Sequence, residues 1–598
     1  MKLFYFLFLS IAYGSLQAQS NYVANTANTS SPGNNNTLVG PQAGNTTMTG
    51  INNVFLGSNA GIKNTSGYGS IFVGAYAGYS NTAGVANTFV GNSAGFTNST
   101  GSSNSFMGFN AGYYTTSGIM NSFIGSSTGL RNTDGNYNSF MGAFAGYSNT
   151  SGGYNSFVGY QTGYNNTIGG SNCFMGAGAG YYNTIGSNNS FMGSSAGYNN
   201  TRGINNNFIG SGAGYNNTTG NSNSFLGATA GYSNTTGNNN SFVGYGSGNR
   251  TTVGNNNSFV GTNAGFNNTI GTNNNFVGTS AGYNNTTGND NSFMGAFAGS
   301  GTTTGYSNTA VGIRSLFSNI AGSNNVMIGD SVGFKNTASN NTFVGSKTGY
   351  NTSSGTSNTF LGYQAGQNVT TGSNNIIIGP MSGTAITEGS DNVLMGYNSQ
   401  AEDGLHNATA IGSGSRVAVS NALILGNGAN VGIGTSAPAT RLEVVSPQAD
   451  QSGLRLTSLT TNSPSALATD QFLTVNQQGD VVKARYQLRI SDVSQWSDKV
   501  FSPTYQLRPL SQVATYVRQQ GHLPGVPSAE QMQREGVDLV KMNSLLLEKV
   551  EELTLYGIEQ EKTNQQQQQT LQEQKATLQR QQGEIDELKR LVNQLLKK

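Results

Sequence analysis

One short phrase, two large apolar residues followed by glycine, returns every 17 residues through most of the chain. It is Phe-Leu-Gly at residues 55–57 and Phe-Val-Gly at residues 72–74, and it keeps phase from Leu38 to Met327 without an insertion. A unit with only two or three large apolar side chains cannot fold alone, whereas stacked units can share a core. A repeat this strict therefore predicts a solenoid.

We number each unit from its aromatic residue, so that residues 89–105 carry glycine at positions 3, 7 and 13. Position 13 is glycine in every unit from Gly50 to Gly322. Glycine at a fixed spacing indicates turns with φ > 0, which a Cβ would obstruct. Position 16 is nearly always Asn, whose side chain bonds to nearby backbone and tolerates left-handed geometry. The sequence predicts very short strands joined by two or three turns in each unit.

Stacking pairs each strand with the same strand of the next unit, about 4.8 Å away, so that identical side chains form ladders. From Leu38 to about Leu425 the phrase recurs about 24 times, which gives a rod on the order of 110 Å long. Low-complexity disorder is the alternative, because Gly, Ser, Asn and Thr dominate this region. Disorder gives no reason to keep phase, however. We expect a mainly β fold, with a parallel β-roll or solenoid over residues 38–429.

Adjacent strand residues point to opposite faces, so the two apolar residues of each phrase cannot both be inside. If the Phe ladder fills the coil, the ladder that includes Val90, Met107 and Ile124 faces outward, or the reverse. Either way, one apolar stripe lies outside the single-chain core. A stripe of this length exceeds the patch size that soluble monomers tolerate. We expect the chain to associate with copies of itself.

Charge is sparse in the repeats. The charged residues between Ser20 and Gln400 are seven basic ones (Lys63, Arg131, Arg202, Arg250, Arg314, Lys335, Lys347) and five acidic ones (Asp134, Asp290, Asp330, Glu388, Asp391). A neutral body has no field to gather nucleic acid or anionic lipid. Solenoid hydrolases and lyases need clustered carboxylates, which the repeats do not supply. We expect neither an enzyme nor a nucleic-acid partner.

Few single residues suggest chemistry. Cys173 is the only cysteine, so no intrachain disulfide can form. It stands where neighbouring repeats have Ser or Thr, which indicates a serine substitute or, alternatively, a reactive thiol. His406 and His522 have no Cys, Asp or His partner at ligand spacing. We predict no catalytic, cofactor-binding or metal site.

The later phrases, such as Asn-Ile-Ile-Ile-Gly at residues 375–379 and Asn-Val-Leu-Met-Gly at residues 392–396, follow the Asn-Ser-Phe-Val-Gly form of the earlier ones. Together they resemble the head repeats of YadA-like trimeric autotransporter adhesins over roughly residues 33–430. That resemblance implies a trimer of left-handed parallel β-rolls with an adhesive role. The repeat here is longer than is usual for those heads.

The C-terminal third is different in composition. Residues 430–435 and 441–445 look like segments of phage tail-fibre-type proteins, and residues 472–475 and 481–486 flank a Gly-Asp turn, which predicts a hairpin. We interpret residues 430–490 as a β-rich connector.

Residues 491–538 are predicted to form a small folding unit. The stretch from Trp496 to about Leu555 resembles the C-terminal region of secreted bacterial fibre proteins and, more distantly, the intramolecular chaperone of endosialidase-type tail spikes. In those chaperones a Ser-Asp pair with a nearby basic residue cleaves the chain after assembly. Ser497, Asp498 and Lys499 match that triplet, but the residues around them do not otherwise follow the chaperone pattern.

Residues 539–598 follow one heptad series, which predicts a coiled-coil stalk. Ile585 with Leu588 at successive core positions favours two strands. Successive polar layers at Gln567 and Gln574, together with the head resemblance, favour three. We expect a homotrimer, with a dimer as the alternative.

The N-terminus has the pattern of a secretory signal peptide. Lys2 precedes the apolar run of residues 3–12, and small residues lead to a predicted cut after Ala18. The run is about half of the roughly 20 residues that a membrane-spanning helix needs. Residues 1–18 are thus predicted to be removed, residues 19–37 to form an N-terminal segment, and the mature protein to be secreted or at the cell surface without a transmembrane segment.

These expectations combine into an exported trimeric fibre that mediates adhesion to a glycan, a host cell or an abiotic surface. The alternative is a tail-fibre-like appendage or spacer without its own ligand. A remote alternative is an ice-binding solenoid, but adjacent Thr pairs such as Thr218 and Thr219 should point to opposite faces.

Overall fold

The structure is a computed structural model that describes residues 33–448, 453–457, 463, 471–485, 492–493, 496 and 498–597. The predicted signal peptide, residues 1–18, lies outside the described residues, as do most of the predicted N-terminal segment and Ser497. The chain divides into two compact units, Met1–Leu454 and Arg455–Lys598.

The first unit is a parallel β-solenoid, as the repeat predicts. One sheet contains 24 strands, and each strand pairs in parallel with the strand one coil away. The register places Phe89 opposite Phe106, 17 residues on. One coil is a residue shorter, so that Met327 pairs with Phe343.

The strands of the whole chain are β1 (Thr37–Val39), β2 (Val54–Leu56), β3 (Ile71–Val73), β4 (Thr88–Val90), β5 (Ser105–Met107), β6 (Ser122–Ile124), β7 (Ser139–Met141), β8 (Ser156–Val158), β9 (Cys173–Met175), β10 (Ser190–Met192), β11 (Asn207–Ile209), β12 (Ser224–Leu226), β13 (Ser241–Val243), β14 (Ser258–Val260), β15 (Asn275–Val277), β16 (Ser292–Met294), β17 (Thr309–Val311), β18 (Val326–Ile328), β19 (Thr342–Val344), β20 (Thr359–Leu361), β21 (Ile376–Ile378), β22 (Val393–Met395), β23 (Gln400–Ala401), β24 (Thr409–Ile411), β25 (Arg416–Val417), β26 (Leu423–Leu425), β27 (Val431–Ile433), β28 (Leu442–Val444), β29 (Gln471–Val475) and β30 (Val481–Arg485). Strands β1–β22, β24 and β26 form the large sheet, and the pairs β23–β25, β27–β28 and β29–β30 form three small ones.

The core is a ladder of position-1 side chains. Phe157, Phe174 and Phe191 are fully buried, and their rings stack with centroids 4.9 and 4.6 Å apart. The Phe ladder therefore fills the coil, and the second residue of each phrase is the outer one. Each fully buried Phe contributes roughly 1.5–3 kcal/mol of hydrophobic stabilisation.

The glycine at position 13 has a different reason from the one the sequence suggested. The prediction of a positive φ at this position is wrong, because Gly101 has no left-handed φ. A Cβ on Gly101 would instead lie 2.4 Å from the carbonyl oxygen of Gly118 in the next coil. Glycine is needed here because two backbones approach each other. Positive φ occurs at positions 3 and 7 and also at non-glycine positions 5 and 15, such as Ser93 and Ser103.

The Asn residues also act between coils rather than within a turn. At position 16, the side-chain oxygen of Asn87 accepts from the amide of Asn104 at 2.9 Å, and Asn104 Nδ2 donates to the Gly118 carbonyl at 2.7 Å. At position 10, Asn166 Nδ2 donates to Asn149 Oδ1 at 2.7 Å. Both rows are buried, so these bonds satisfy polar groups that would otherwise destabilise the core.

The second unit contains the predicted hairpin, with β29 and β30 antiparallel, followed by a 3₁₀ helix (Asp498–Phe501) and three α-helices. These are α1 (Leu510–Gln520), α2 (Ala529–Glu535) and α3 (Leu539–Leu595). Ser528 and Gln531 form a capping box at the start of α2, and the Asp538 side chain caps α3. Helix α3 is 57 residues long, which corresponds to about 85 Å at 1.5 Å per residue. No helix within the described ranges has the length and hydropathy of a membrane span.

Candidate functional site

The second apolar residue of each phrase forms an outer apolar row along the solenoid. Its members at positions equivalent to Met107 lie on the outside of the large sheet, and Met107, Met141 and Met175 are 49 %, 50 % and 47 % exposed. In-register pairing aligns them, as Met175 opposite Met192 illustrates. A continuous apolar row of this kind is typical of a surface that another molecule covers.

Helix α3 carries a second uncovered apolar surface. The predicted heptad core residues Leu546, Val550 and Leu553, and further along Ile585 and Leu588, are all exposed. The structure thus shows a single long helix with its apolar seam open, and the coiled coil stays a prediction.

The start of that seam lines a cavity of about 430 Å³ in the second unit. The apolar lining consists of Leu510, Val513, Leu523, Leu546, Val550 and Leu553. Charged and phenolic groups stand at its rim: the Tyr505 hydroxyl donates to Glu552, and Lys549 pairs with Glu552 at 2.9 Å. Burial and this carboxylate raise the pKa of Tyr505 far above its ordinary value, so Tyr505 stays a hydrogen-bond donor.

The predicted cleavage triplet is only partly described. Asp498 begins the 3₁₀ helix, and Lys499 Nζ lies 3.0 Å from Glu548 on α3. Burial raises the pKa of Glu548, but the hydrogen bond from Lys499 and the charge of Lys549 outweigh it and lower the pKa. Lys499 thus anchors the 3₁₀ helix to α3. Self-cleavage stays a hypothesis.

The remaining single-residue candidates lie apart. Cys173 begins β9 as an exposed thiol between Ser156 and Ser190 of the neighbouring strands. His406 lies near the end of the solenoid, where its backbone forms a bridge with Ser390. His522 packs edge-on against Tyr516 with ring centroids 5.7 Å apart. Among the residues that the structure describes, no cluster of His, Cys, Asp or Glu forms a metal-binding group.

An aromatic ladder at position 8 was missed in the sequence, although aromatic residues recur there every 17 residues. Its longest run contains Tyr147, Tyr164, Tyr181, Tyr198, Tyr215 and Tyr232. Their rings stack at 4.8–5.1 Å within 12° of parallel. Burial and the neighbouring tyrosines raise the pKa of Tyr164 and Tyr198. Because the faces cover one another, the run presents ring edges and hydroxyls outward.

Three basic residues lie over this ladder where it is broken. Lys63 lies 5.0 Å from the Tyr79 ring, Arg131 lies 5.6 Å from the Tyr147 ring, and Arg250 lies 5.6 Å from the Phe266 ring. Each follows a non-aromatic residue at position 8, namely Ile62, Leu130 or Asn249. The cation covers a ring face that the missing aromatic neighbour would have covered. These charges are therefore explained by contacts within the chain.

Beside the aromatic ladder runs a row of Thr at position 11. Thr184 Oγ1 donates to the Thr201 carbonyl at 2.9 Å, and Thr201 donates to Thr218 in the same way at 3.0 Å. Position 9 points to the same side, two residues earlier. Between the two rows lies a shallow groove of about 500 Å³, which we call the polar groove; it is lined by Tyr182, Asn199, Asn216 and Ser233 at position 9 and by Thr184, Thr201, Thr218 and Thr235 at position 11.

A carboxylate ties together the coils near the end of the solenoid. Asp403 Oδ1 accepts from the amides of Thr387 and Glu388 at 2.7 and 2.9 Å, and Oδ2 accepts from the Thr387 hydroxyl. Burial raises the pKa of Asp403, but these bonds and the Gly404 amide outweigh that effect and lower the pKa to about 2. The carboxylate is therefore a staple between neighbouring coils.

Comparison with known proteins gives no match, either to a protein-family model or to a curated protein or a solved structure.

Proposed function

We propose that the chain is the subunit of an exported homotrimeric fibre that mediates adhesion. The observation that carries the assembly is the outer apolar row, which runs along the same sheet face from coil to coil with about half of each Met side chain exposed. Covering it with two further copies removes this surface from water. The proposed trimer also follows from the resemblance to YadA-like heads.

The open seam of α3 supports the same assembly. Helix α3 has apolar residues at heptad positions over its full length, and a helix that is alone in water gains little stability from them. Three copies packed along the seam would form the proposed coiled-coil stalk. The cavity beside Leu546 and Leu553 would then be closed by a neighbouring copy.

Adhesion is assigned to the faces that the apolar row leaves free. The position 8, 9 and 11 rows present hydroxyl and amide groups repeatedly along the solenoid, and repeated weak sites give avidity when they engage together. The body has few charges, and the described ranges contain no metal-binding cluster, which supports a non-enzymatic role. Location outside the cell rests on the predicted signal peptide.

A spacer without its own ligand is the second candidate. It is favoured by the stacked aromatic ladder, whose faces and cations are already used within the chain.

Binding of the full chain to a panel of immobilised glycans, whole cells and abiotic surfaces separates the two. An adhesin binds a subset of the panel, and that binding persists from low salt to about 0.5 M because the repeats carry few charges. A spacer binds none. Binding that is lost at high salt assigns the contact to the more highly charged C-terminal third instead.

A further inference from the structure

The most distinctive feature of the polar groove is the orientation of one ring, Tyr182. Position 9 is aromatic only here and at Tyr114 along the described repeats. The Tyr182 ring is turned 74° from the Tyr181 ring and 84° from the Tyr198 ring. The ladder rings face along the stack, so the plane of Tyr182 runs along the stack instead. With 44 % of the residue exposed, Tyr182 presents a ring face where the ladder presents only edges.

Beyond Tyr182 the groove continues over three more coils with amide and hydroxyl groups. Asn199 Nδ2 donates to Asn216 Oδ1 at 3.0 Å, which orients both amides along the groove. This leaves the Asn216 amide nitrogen to donate to a ligand and the Asn199 carbonyl oxygen to accept.

The opposite wall has a fixed polarity. Each Thr hydroxyl hydrogen is used on the carbonyl of the next coil, as in Thr218 to Thr235 at 3.0 Å. The hydroxyl oxygens therefore remain as acceptors for donor groups of a ligand. The same bonds explain why this row does not present free hydroxyls as an ice-binding face would.

None of the eight lining residues is charged. An uncharged groove with one aromatic face and alternating amide and hydroxyl groups matches a neutral carbohydrate, whose ring carries an apolar C–H face and hydroxyls at its edges. Its repeat is the coil spacing, about 4.8 Å. In an extended β-1,4-linked polysaccharide each pyranose spans a length close to one coil, whereas α-1,4-linked chains curve away from a straight groove.

We infer that the polar groove is a binding subsite for an extended, neutral, β-1,4-linked polysaccharide that lies along the solenoid axis, with one sugar on Tyr182 and successive sugars on Asn199, Asn216 and Ser233. This inference rests on the proposed adhesive function and names its ligand class.

The chain offers matched controls for a test. Tyr114 occupies the same repeat position, is similarly exposed and is turned 69° from Tyr113, but the next position 9 is Arg131, which lies over Tyr147. Asn284 is at position 9 outside the polar groove. Tyr114→Ala and Asn284→Leu therefore control for Tyr182→Ala and Asn216→Leu.

Titration calorimetry of the full chain with cellohexaose, chitohexaose and maltohexaose tests the subsite. At least one β-linked hexaose should bind, maltohexaose should bind more weakly, and both groove variants should weaken binding about tenfold or more, the equivalent of about 1.4 kcal/mol. Both control variants should bind as the unchanged protein does.

The inference is overturned if neither β-linked hexaose binds, if maltohexaose binds as tightly, or if the control variants lose as much as the groove variants. A chain that adheres to the surface panel, with adhesion unaffected by Tyr182→Ala and Asn216→Leu, leaves the adhesive function standing and removes only this subsite. A chain that adheres to nothing removes both.

Discussion

Gly163 lies against the ring of Phe157 so closely that a Cβ on Gly163 would come within 2.5 Å of the ring Cε2 atom. Gly163 also has φ of +59°, a left-handed conformation that side chains with a Cβ disfavour. The same pair recurs in most coils as position 1 and position 7. The spacing between the aromatic residue and this glycine is therefore set by a direct contact, and it must be kept for every coil to close over its core.

Replacing Gly163 by Ala should destabilise the solenoid by about 2–5 kcal/mol, the sum of left-handed strain and overpacking. The matched control is Gly69→Asn, because Gly69 has φ of +64° with no atom within 4 Å of its would-be Cβ. Chemical denaturation followed by circular dichroism measures both. Equal losses for the two variants would show that the ring contact does not matter.

Changing Phe157, Phe174 and Phe191 together to Ala should open adjoining cavities in the core ladder. Each large-to-small change costs roughly 3–5 kcal/mol, so the thermal melt should fall sharply. The control is Ile168→Ala with Ile185→Ala, which removes exposed apolar side chains from the same coils. An unchanged melt in the triple Phe variant would contradict the solenoid.

Asn166→Asp should destabilise the solenoid in a pH-dependent way. The change removes the donor to Asn149 Oδ1 and to the Gly169 carbonyl and places a carboxyl in a buried site. Burial beside two oxygens raises the pKa of that carboxyl above its unfolded value. The variant should thus be closest to the unchanged protein below pH 4 and lose stability as pH rises toward neutrality.

Asn165→Asp controls for Asn166→Asp, since Asn165 is the adjacent, half-exposed residue. Denaturation midpoints at pH 3.5 and 7 suffice. A pH dependence no larger for Asn166→Asp than for Asn165→Asp would argue against the buried Asn ladder.

Asp403 should make the last coils sensitive to acid. Its folded pKa of about 2 lies below its ordinary value of 3.8. The stabilisation is therefore present above the ordinary pKa and is lost as pH falls from about 4 through 2. Hydrogen exchange at the amides of Thr387, Glu388 and Gly404 should accelerate over that range, and Asp403→Asn should weaken this protection at neutral pH. Asp391→Asn, which bonds to the Asn374 side chain instead, is the control.

The repeat was enough to predict the strands, their parallel register and the closed core, because each depends on spacing that the sequence states directly. It left open which of Phe157 and Val158 is inside, since alternation alone is symmetric. The structure settles this through Gly163, which leaves room for a ring on the inner side only.

The candidate site was harder to foresee. Positions 9 and 11 share one side of the coil only because of the backbone path between Gly163-type and Gly169-type positions, and local composition does not reveal that path. The inter-coil bonds of Asn166 and Thr184 join residues 17 apart, so a turn-based interpretation of Asn misses them. The orientation of Tyr182 depends on two neighbouring rings and has no sequence signature of its own.

The number of chains in the fibre is the most direct test of the account, because the outer apolar row and the α3 seam are both left uncovered in a single chain. Light scattering coupled to size exclusion should give three times the mass of the processed chain at micromolar concentration. A monomer, or a dimer for both the full chain and a fragment that spans α3, would contradict the three-fold fibre.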